Sequence, residues 1–266
     1  LVEARTGGGA GRRLICTEPM LRILTYNVHR CVGTDRRLDV GRVAEVIAAQ
    51  SPHIVALQEL DVGRARTGGV DQAHRLAQRL GMAFHFNAAL RVEEELYGDA
   101  ILTALPERLV KAGPIPGHPR FGRLEPRGAV WIAVRIAGGE LHVINTHLGL
   151  APGEQRVQAA ALTGPDWLGA APAGAPLVLL GDMNATPRSV AYRTFATRLK
   201  DARRVARVSL RAPTFPSTFP VLPIDHVFVG AAVPVEAVRT PLDPLTRLAS
   251  DHLPLVVDLS LDSGPA

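Results

Sequence analysis

The sequence predicts an α/β protein with sheets inside and helices outside, arranged as two packed sheets rather than one parallel sheet. Apolar strands alternate with segments of helical spacing along the whole chain. A glycine pair, Gly138-Gly139, joins two apolar runs as a hairpin, which requires antiparallel neighbours. The 266 residues are 47% hydrophobic and 21% charged, enough apolar material for a large core.

Residues 21–27 read as a buried strand. Over 38–50, Val40, Val43, Val46 and Ile47 recur at helical spacing until Ser51-Pro52 stops the helix. Residues 54–57 form a second apolar strand, 74–80 a helix ended by Gly81, and 83–86 a third strand. The hairpin strands cover 129–136 and 141–145. After them come a helix around 154–162, a strand at 177–180, a helix near 189–195, and strands at 227–229 and 255–259. Prolines make 113–119 and 213–223 surface loops, because proline disrupts helix interiors and central strands. Residues 1–19, rich in Gly and Arg and without the apolar core of a secretory signal, read as a disordered leader, with an extension upstream of a start at Met20 as one account of it. Residues 20–266 are expected to form one domain.

The net charge of +5 rests on 28 Arg and 2 Lys, with no run of five or six basic residues to act as a nucleic-acid arm. It supports a modest preference for anionic substrates. Cys16 and Cys31 have neither redox nor zinc spacing, which fits a reducing, cytoplasmic setting. No apolar stretch approaches the roughly 18 residues that span a bilayer. A monomer is expected.

Polar and ionisable residues recur at strand ends, where a sheet can hold them rigidly against a substrate. Asn27 ends one strand, Glu59 a second, His147 a third, and Asp182 with Asn184 a fourth. Asp225 opens a fifth, and Asp251-His252 precede the last. Each alone reads as a turn former, a helix cap or a core histidine. Together they combine hard oxygen donors, two histidines and an Asp-x-Asn pair, an inventory suited to Mg²⁺-assisted phosphoryl chemistry. Glu59 and Asp251 could supply the carboxylates. Zinc is disfavoured, since there is no HExxH and no cysteine cluster. An acid beside His252 would favour its protonated form, and a charged donor strengthens hydrogen bonds to an anionic transition state.

The ordered set TYNVHR, LQELD, YGDAILT, EPRGAV, NTHLGL, GDMNATP, IDHVFV and SDHLPLVVDL, from Leu21 to Leu259, resembles the endonuclease/exonuclease/phosphatase superfamily. The resemblance implies a four-layered α/β sandwich, with two central mixed sheets flanked by helices and an active site at one edge of the sheets. It implies Glu59 as the principal metal-binding residue, with Asn27 and Asp251 beside or within the metal shell, and Mg²⁺ as the metal, with Mn²⁺ an alternative. It implies that Asp182 and Asn184 orient or deprotonate the attacking water, that Asp225 positions His252, and that His252 stabilises the phosphoryl oxygens. Arg127 resembles an arginine that contacts substrate phosphate; a surface salt bridge is the competing reading. Tyr97 reads as structural.

Relatives that repair apurinic sites carry a tyrosine where this chain has His147, and a lysine soon after the metal glutamate, where Glu59-Leu60-Asp61 stands here. The departures point to the branch with DNase I, sphingomyelinases and inositol polyphosphate phosphatases. A small or lipid-linked phosphoester is therefore the expected substrate. A DNA nuclease or apurinic-type endonuclease is the alternative enzyme, and a catalytically silent phosphate-binding or scaffold protein the alternative of another class. Residues 64–71, Glu93-Glu94-Glu95 and 213–223 are expected to border the site.

Overall fold

The computed structural model describes residues 20–118, 120, 122, 124–210 and 213–260. The leader reading of residues 1–19, and with it Cys16, lies outside them. The first half runs β1 (Met20–Asn27), α1 (Val40–Ala48), β2 (Ile54–Val62), α2 (Gln72–Leu80), β3 (Ala83–Val92), β4 (Glu95–Thr103), β5 (Glu107–Ile115), β6 (Arg127–Ile136) and β7 (Gly139–His147). Then follow α3 (Pro152–Thr163), β8 (Leu177–Asp182), α4 (Val190–Ala196), β9 (Lys200–Asp201), α5 (Ala202–Val205) and β10 (Val208–Ser209). The chain closes with β11 (Asp225–Val229), β12 (Val235–Arg239), α6 (Pro244–Ala249) and β13 (Leu255–Ser260).

These strands build two mixed sheets, a seven-stranded one in the order β10-β12-β13-β1-β2-β4-β3 and a six-stranded one in the order β5-β6-β7-β8-β11-β9. Strand periodicity explains the layers, because successive side chains point to opposite faces. Leu21 and Ile23 of β1, Val130 and Ile132 of β6 and Val178 and Leu180 of β8 meet in the core between the sheets. The alternate residues Leu24 and Tyr26 of β1 pack against Val43, Ile47 and Leu76 of α1 and α2. On the other sheet, Trp131 and Leu179 face Leu162, Tyr192 and Phe195 of α3 and α4. Strands covered on both faces read as continuous apolar runs, which is why β1 and β8 stood out in the sequence.

The hairpin at Gly138-Gly139 forms as expected, with Ile136 opposite Gly139. Two expectations change. Residues 113–119 do not form a loop throughout, since Gly113, Pro114 and Ile115 continue β5 opposite Ala129, Gly128 and Arg127. Pro114 is tolerated because β5 is an edge strand of its sheet. Glu93 and Glu94 form the two-residue turn joining β3 to β4, with Glu93 left-handed at φ 54°. Glu95 starts β4 and turns to Arg64, at 3.3 Å, and to the Ala65 N–H, at 2.8 Å.

Away from the strand ends discussed below, Asp258 of β13 clamps its neighbours: Arg22 Nε on β1 donates to it at 2.6 Å and Arg239 Nη1 on β12 at 2.7 Å. Burial alone would raise the Asp258 carboxyl, but these two hydrogen bonds hold it below the usual carboxylate range. Its contribution is then present above the unfolded-state value of about 3.9 and is lost as pH falls through the lower folded value. Asp258→Asn should lower stability at neutral pH by roughly 1–2 kcal/mol. In chemical denaturation, that difference should shrink below about pH 4; a difference constant down to about pH 2 would contradict this account.

Candidate active site

Topology gathers the strand-end residues. β1 runs parallel to β2, and β7 parallel to β8, so Asn27, His147 and Asp182 emerge at like ends of their strands; Glu59, expected at a strand end, instead lies within β2, which continues to Val62. β11 is antiparallel to β8 and starts opposite its end, pairing Asp225 with Asp182. β13 is antiparallel to β1, which brings Ser250, Asp251 and His252 beside Asn27. β6 is antiparallel to β7, so Arg127 starts next to the end bearing His147. A cleft of about 470 Å³ opens there, lined by Glu59, Arg127, His147, Asp182, Asn184, Asp251 and His252 together with Tyr97, Arg66 and Arg30.

The backbone is bent to aim these groups. Glu59 sits in a bulge of β2, between the pairs Leu57–Ala100 and Leu60–Gly98, with φ 61°. His29, Arg30 and Asn184 are also left-handed, at φ 44°, 56° and 45°. Left-handed non-glycine residues cost free energy and cluster at functional sites. Gly181, at φ 139°, is needed because a Cβ there would lie 1.8 Å from the Thr146 carbonyl oxygen of the adjoining strand. Ser250 Oγ donates to the Asn27 carbonyl at 2.8 Å and accepts the His252 N–H at 3.2 Å, fastening the segment that carries Asp251 and His252.

Asp182 is the hub and is fully buried. Asn27 Nδ2 donates to it at 3.0 Å and also to Glu59 at 3.0 Å. The Asn184 N–H donates to its other oxygen at 2.8 Å. Burial is the main reason its carboxyl is pushed up to about 7, with the Asp225 charge adding and His252 opposing. Asn27 accepts the His29 N–H through Oδ1 at 3.0 Å, which leaves its Nδ2 as the donor to both carboxylates.

His252 Nδ1 donates to Asp225 Oδ2 at 2.9 Å, Nε2 lies 3.6 Å from Asp182 Oδ2, and the ring packs on Phe215 with centroids 4.8 Å apart. Burial opposes a charge on the imidazole, but Asp225 and Asp182 outweigh it and push His252 up to about 10. Burial would likewise raise Asp225, yet His252 and its hydrogen bond hold that carboxyl below its ordinary range. His147 behaves oppositely: burial, then the charges of Arg127 and His252, press it well below the usual histidine range. Arg127 Nη1 lies 3.1 Å from its Nδ1, while its Nε2 lies 3.0 Å from Asn184 Nδ2 and 3.5 Å from Asp182. Arg127 is itself buried and forms an ion pair at 2.8 Å with Glu125, whose side chain is partly exposed, so it both lines the cleft and makes a salt bridge.

Two donor sets could hold a cation. Glu59 and Asp251 both line the cleft, and among the described residues neither is paired with Lys or Arg; the Asp251 side chain is 40% exposed and its partner is His29 at 3.7 Å. Two oxygen donors in one open cleft, with room for water, suit a hard divalent ion. Asp182, Asp225 and His252 also place ligand atoms within 4.8 Å of one another. There the His252 Nδ1 proton already bridges to Asp225, and the imidazolium supplies the positive charge.

Residues 24–252 match the model of the Endonuclease/Exonuclease/phosphatase family. The chain belongs to this family. Protein YbhP of Escherichia coli strain K12 is 26% identical over 251 residues, covering 90% of this chain and 96% of that one. The crystal structure of endonuclease/exonuclease/phosphatase from Beutenbergia cavernae DSM 12333 matches with a TM-score of 0.76 at 26% identity, over 92% of this chain and 72% of that one. The mannosyl-6-phosphatase Bt3783 of Bacteroides thetaiotaomicron VPI-5482 shares the fold, with a TM-score of 0.74 at 18% identity over 91% of this chain and all of that one. Phosphoester hydrolysis is the chemistry of the endonuclease/exonuclease/phosphatase family.

Tyr97, read from the sequence as structural, lines the cleft, with Arg66 stacked 5.4 Å from its ring centroid. Other residues at the site carry no sequence signal. Asp99 is buried opposite the Glu59 bulge, and burial pushes its carboxyl up to about 8 against the pull of Arg127. Asn145 crosses between the sheets, its Nδ2 donating to the Leu57 and Ala100 carbonyls, both at 2.9 Å, while Gln58 donates back to it at 2.7 Å. Of the loops expected to border the site, 64–71 contributes Arg66 and 213–223 contributes Phe215 and Leu222, whereas Glu93-Glu94-Glu95 lie outside the lining. No helix among the described residues is long and apolar enough to cross a membrane.

Proposed function

We propose that this cleft hydrolyses small or lipid-linked phosphoesters with a divalent metal, Mg²⁺ or Mn²⁺. The observation that carries the reading is that Glu59 and Asp251, neither paired with Lys or Arg among the described residues, line one cleft with the buried chain Asp182, His252, Asp225. Glu59 and Asp251 hold the metal, and Asn27 fixes Glu59 through its amide. Bound there, the metal supplies Lewis-acid stabilisation of phosphoryl oxygens. Asp182 accepts a proton from the attacking water, whose oxygen bonds to phosphorus as the ester P–O bond breaks. His252, kept cationic by Asp225, donates through Nε2 to a non-bridging phosphoryl oxygen. Asn184 positions the water or a phosphate oxygen, and Arg127, steadied by neutral His147, offers its guanidinium to the phosphate.

Glu59→Gln should raise the metal concentration needed for half-maximal rate by about tenfold or more, since one of few carboxylate charges is removed. Thermal stability should change little. An unaltered metal titration would show that Glu59 is no principal ligand.

The substrate reading is tested by comparing plasmid, abasic duplex and small phosphoesters at low and moderate salt. The chain has no basic run able to follow many phosphates, and a site that reads one phosphate should respond weakly to salt. Faster turnover of small or lipid phosphoesters is the expected result. Efficient, steeply salt-dependent nicking of duplex DNA with poor turnover of every small ester would establish the nuclease instead.

A further inference from the structure

The mouth of the cleft carries several apolar side chains. Leu150, 75% exposed, and Leu222, 41% exposed, both line it beside Phe215 and Ile224. Their positions follow from the strand ends: the Leu148 N–H donates to the Asp182 carbonyl at 2.9 Å, and the Met183 N–H to the Ile224 carbonyl at 2.9 Å. The segments bearing Leu150 and Ile224 therefore flank the backbone that carries Asp182 and Asn184. Residues 215–222 close into a loop, with the Leu222 N–H donating to the Phe215 carbonyl at 2.8 Å. That loop exposes Phe219 at 74% and Val221 at 51%.

The loop is pinned to the site. The Ser217 N–H donates to the Asp251 carbonyl at 2.6 Å, Ser217 Oγ to the Ser250 carbonyl at 2.6 Å, and Arg247 Nη1 to the Thr218 carbonyl at 3.0 Å. Isolated exposed apolar side chains are ordinary, but several held together at the rim of a cleft mark a surface that meets something apolar. Inside the same cleft, Arg30, Arg66, Arg127 and His252 stand beside Glu59, Glu125, Asp182 and Asp251. The cations offer partners to an anionic head, a divalent ion on the acids would add to them, and the rim asks for a hydrocarbon part. Leu150, Phe215, Leu222 and Ile224 offer no side-chain hydrogen bonds to a sugar, and Phe219 and Val221 none to a second phosphate.

We propose that the substrate is amphiphilic, a phosphoester carrying a flexible apolar chain on one ester oxygen, and that Leu150, Phe215 and Leu222, extended by Phe219 and Val221, receive that chain. This rests on the phosphoester-hydrolase reading above and specifies its substrate. Water adds across the P–O bond, releasing one alcohol and leaving the phosphate on the other.

The test uses methyl and octyl 4-nitrophenyl phosphodiesters with Mg²⁺, following 4-nitrophenolate. The octyl ester should be favoured in kcat/KM by about tenfold or more, the effect of burying two methylenes. Phe219→Ser with Leu222→Ser should bring the octyl-to-methyl ratio toward one, whereas Val208→Ser, an exposed apolar position outside the cleft, should leave the ratio intact. A wild-type ratio near one, or a ratio insensitive to the loop changes, overturns the proposal while leaving the hydrolase reading standing. Absence of turnover with either ester, matched by Asp182→Ala, overturns both. If the loop changes instead abolish binding to phosphatidylcholine vesicles or self-association while the ratio persists, the rim serves a membrane or a second copy, and the proposal fails.

Discussion

Asp182→Ala is expected to lower kcat by about 10³, within the range for loss of a general base, with a much smaller effect on KM. Asp182 is the one carboxylate reached at once by Asn27, by the Asn184 N–H and, at 3.5–3.6 Å, by both His147 and His252. Its removal takes away the proton acceptor and leaves the Asn27 amide with Glu59 alone. Asp182→Asn keeps the side-chain volume and should lose activity to a similar degree, which separates chemistry from packing. A folded Asp182→Asn protein retaining more than about a tenth of the wild-type kcat would exclude Asp182 as the base.

His252→Ala should cost about 10² or more in rate, the loss associated with one preorganised donor to the transition state. Asp225→Asn acts on the same unit, because the 2.9 Å hydrogen bond from His252 Nδ1 both orients the ring and keeps it charged. The double variant should therefore be little worse than His252→Ala alone. Losses that multiply would show that Asp225 does not act through His252.

Much of this site was legible in the sequence because it is made by strand ends. Apolar runs covered on both faces are conspicuous, and polar residues that terminate them fall at one edge once β1 with β2, and β7 with β8, run parallel. Asn27, Glu59, His147, Asp182, Asn184, Asp225, Asp251 and His252 could be selected on that ground. What escaped has no local signal. The turn at Glu93-Glu94 contains no Gly, Asn or Asp, so nothing local marks β4 or its hairpin with β3, and the three glutamates read as a loop beside the site. Pro114 disguised an edge strand as a loop. The Glu59 bulge, the burial of Asp99 and the Asn145 tie between sheets depend on which strands become neighbours, information that no single segment contains. β9 and β10 have two residues each, too few for any periodicity.

If one cleft joins metal-binding carboxylates to a buried acid–base chain for phosphoester hydrolysis, purified protein should turn over bis(4-nitrophenyl) phosphate or 4-nitrophenyl phosphate in a way that depends on Mg²⁺ or Mn²⁺ and responds to excess chelator. Hydrolysis of at least one ester should require the metal, be abolished by chelator and be restored on adding metal back, with Asp182→Asn near background throughout. Equal rates from wild type and Asp182→Asn, with and without metal, would contradict it and leave a phosphate-binding protein without catalysis.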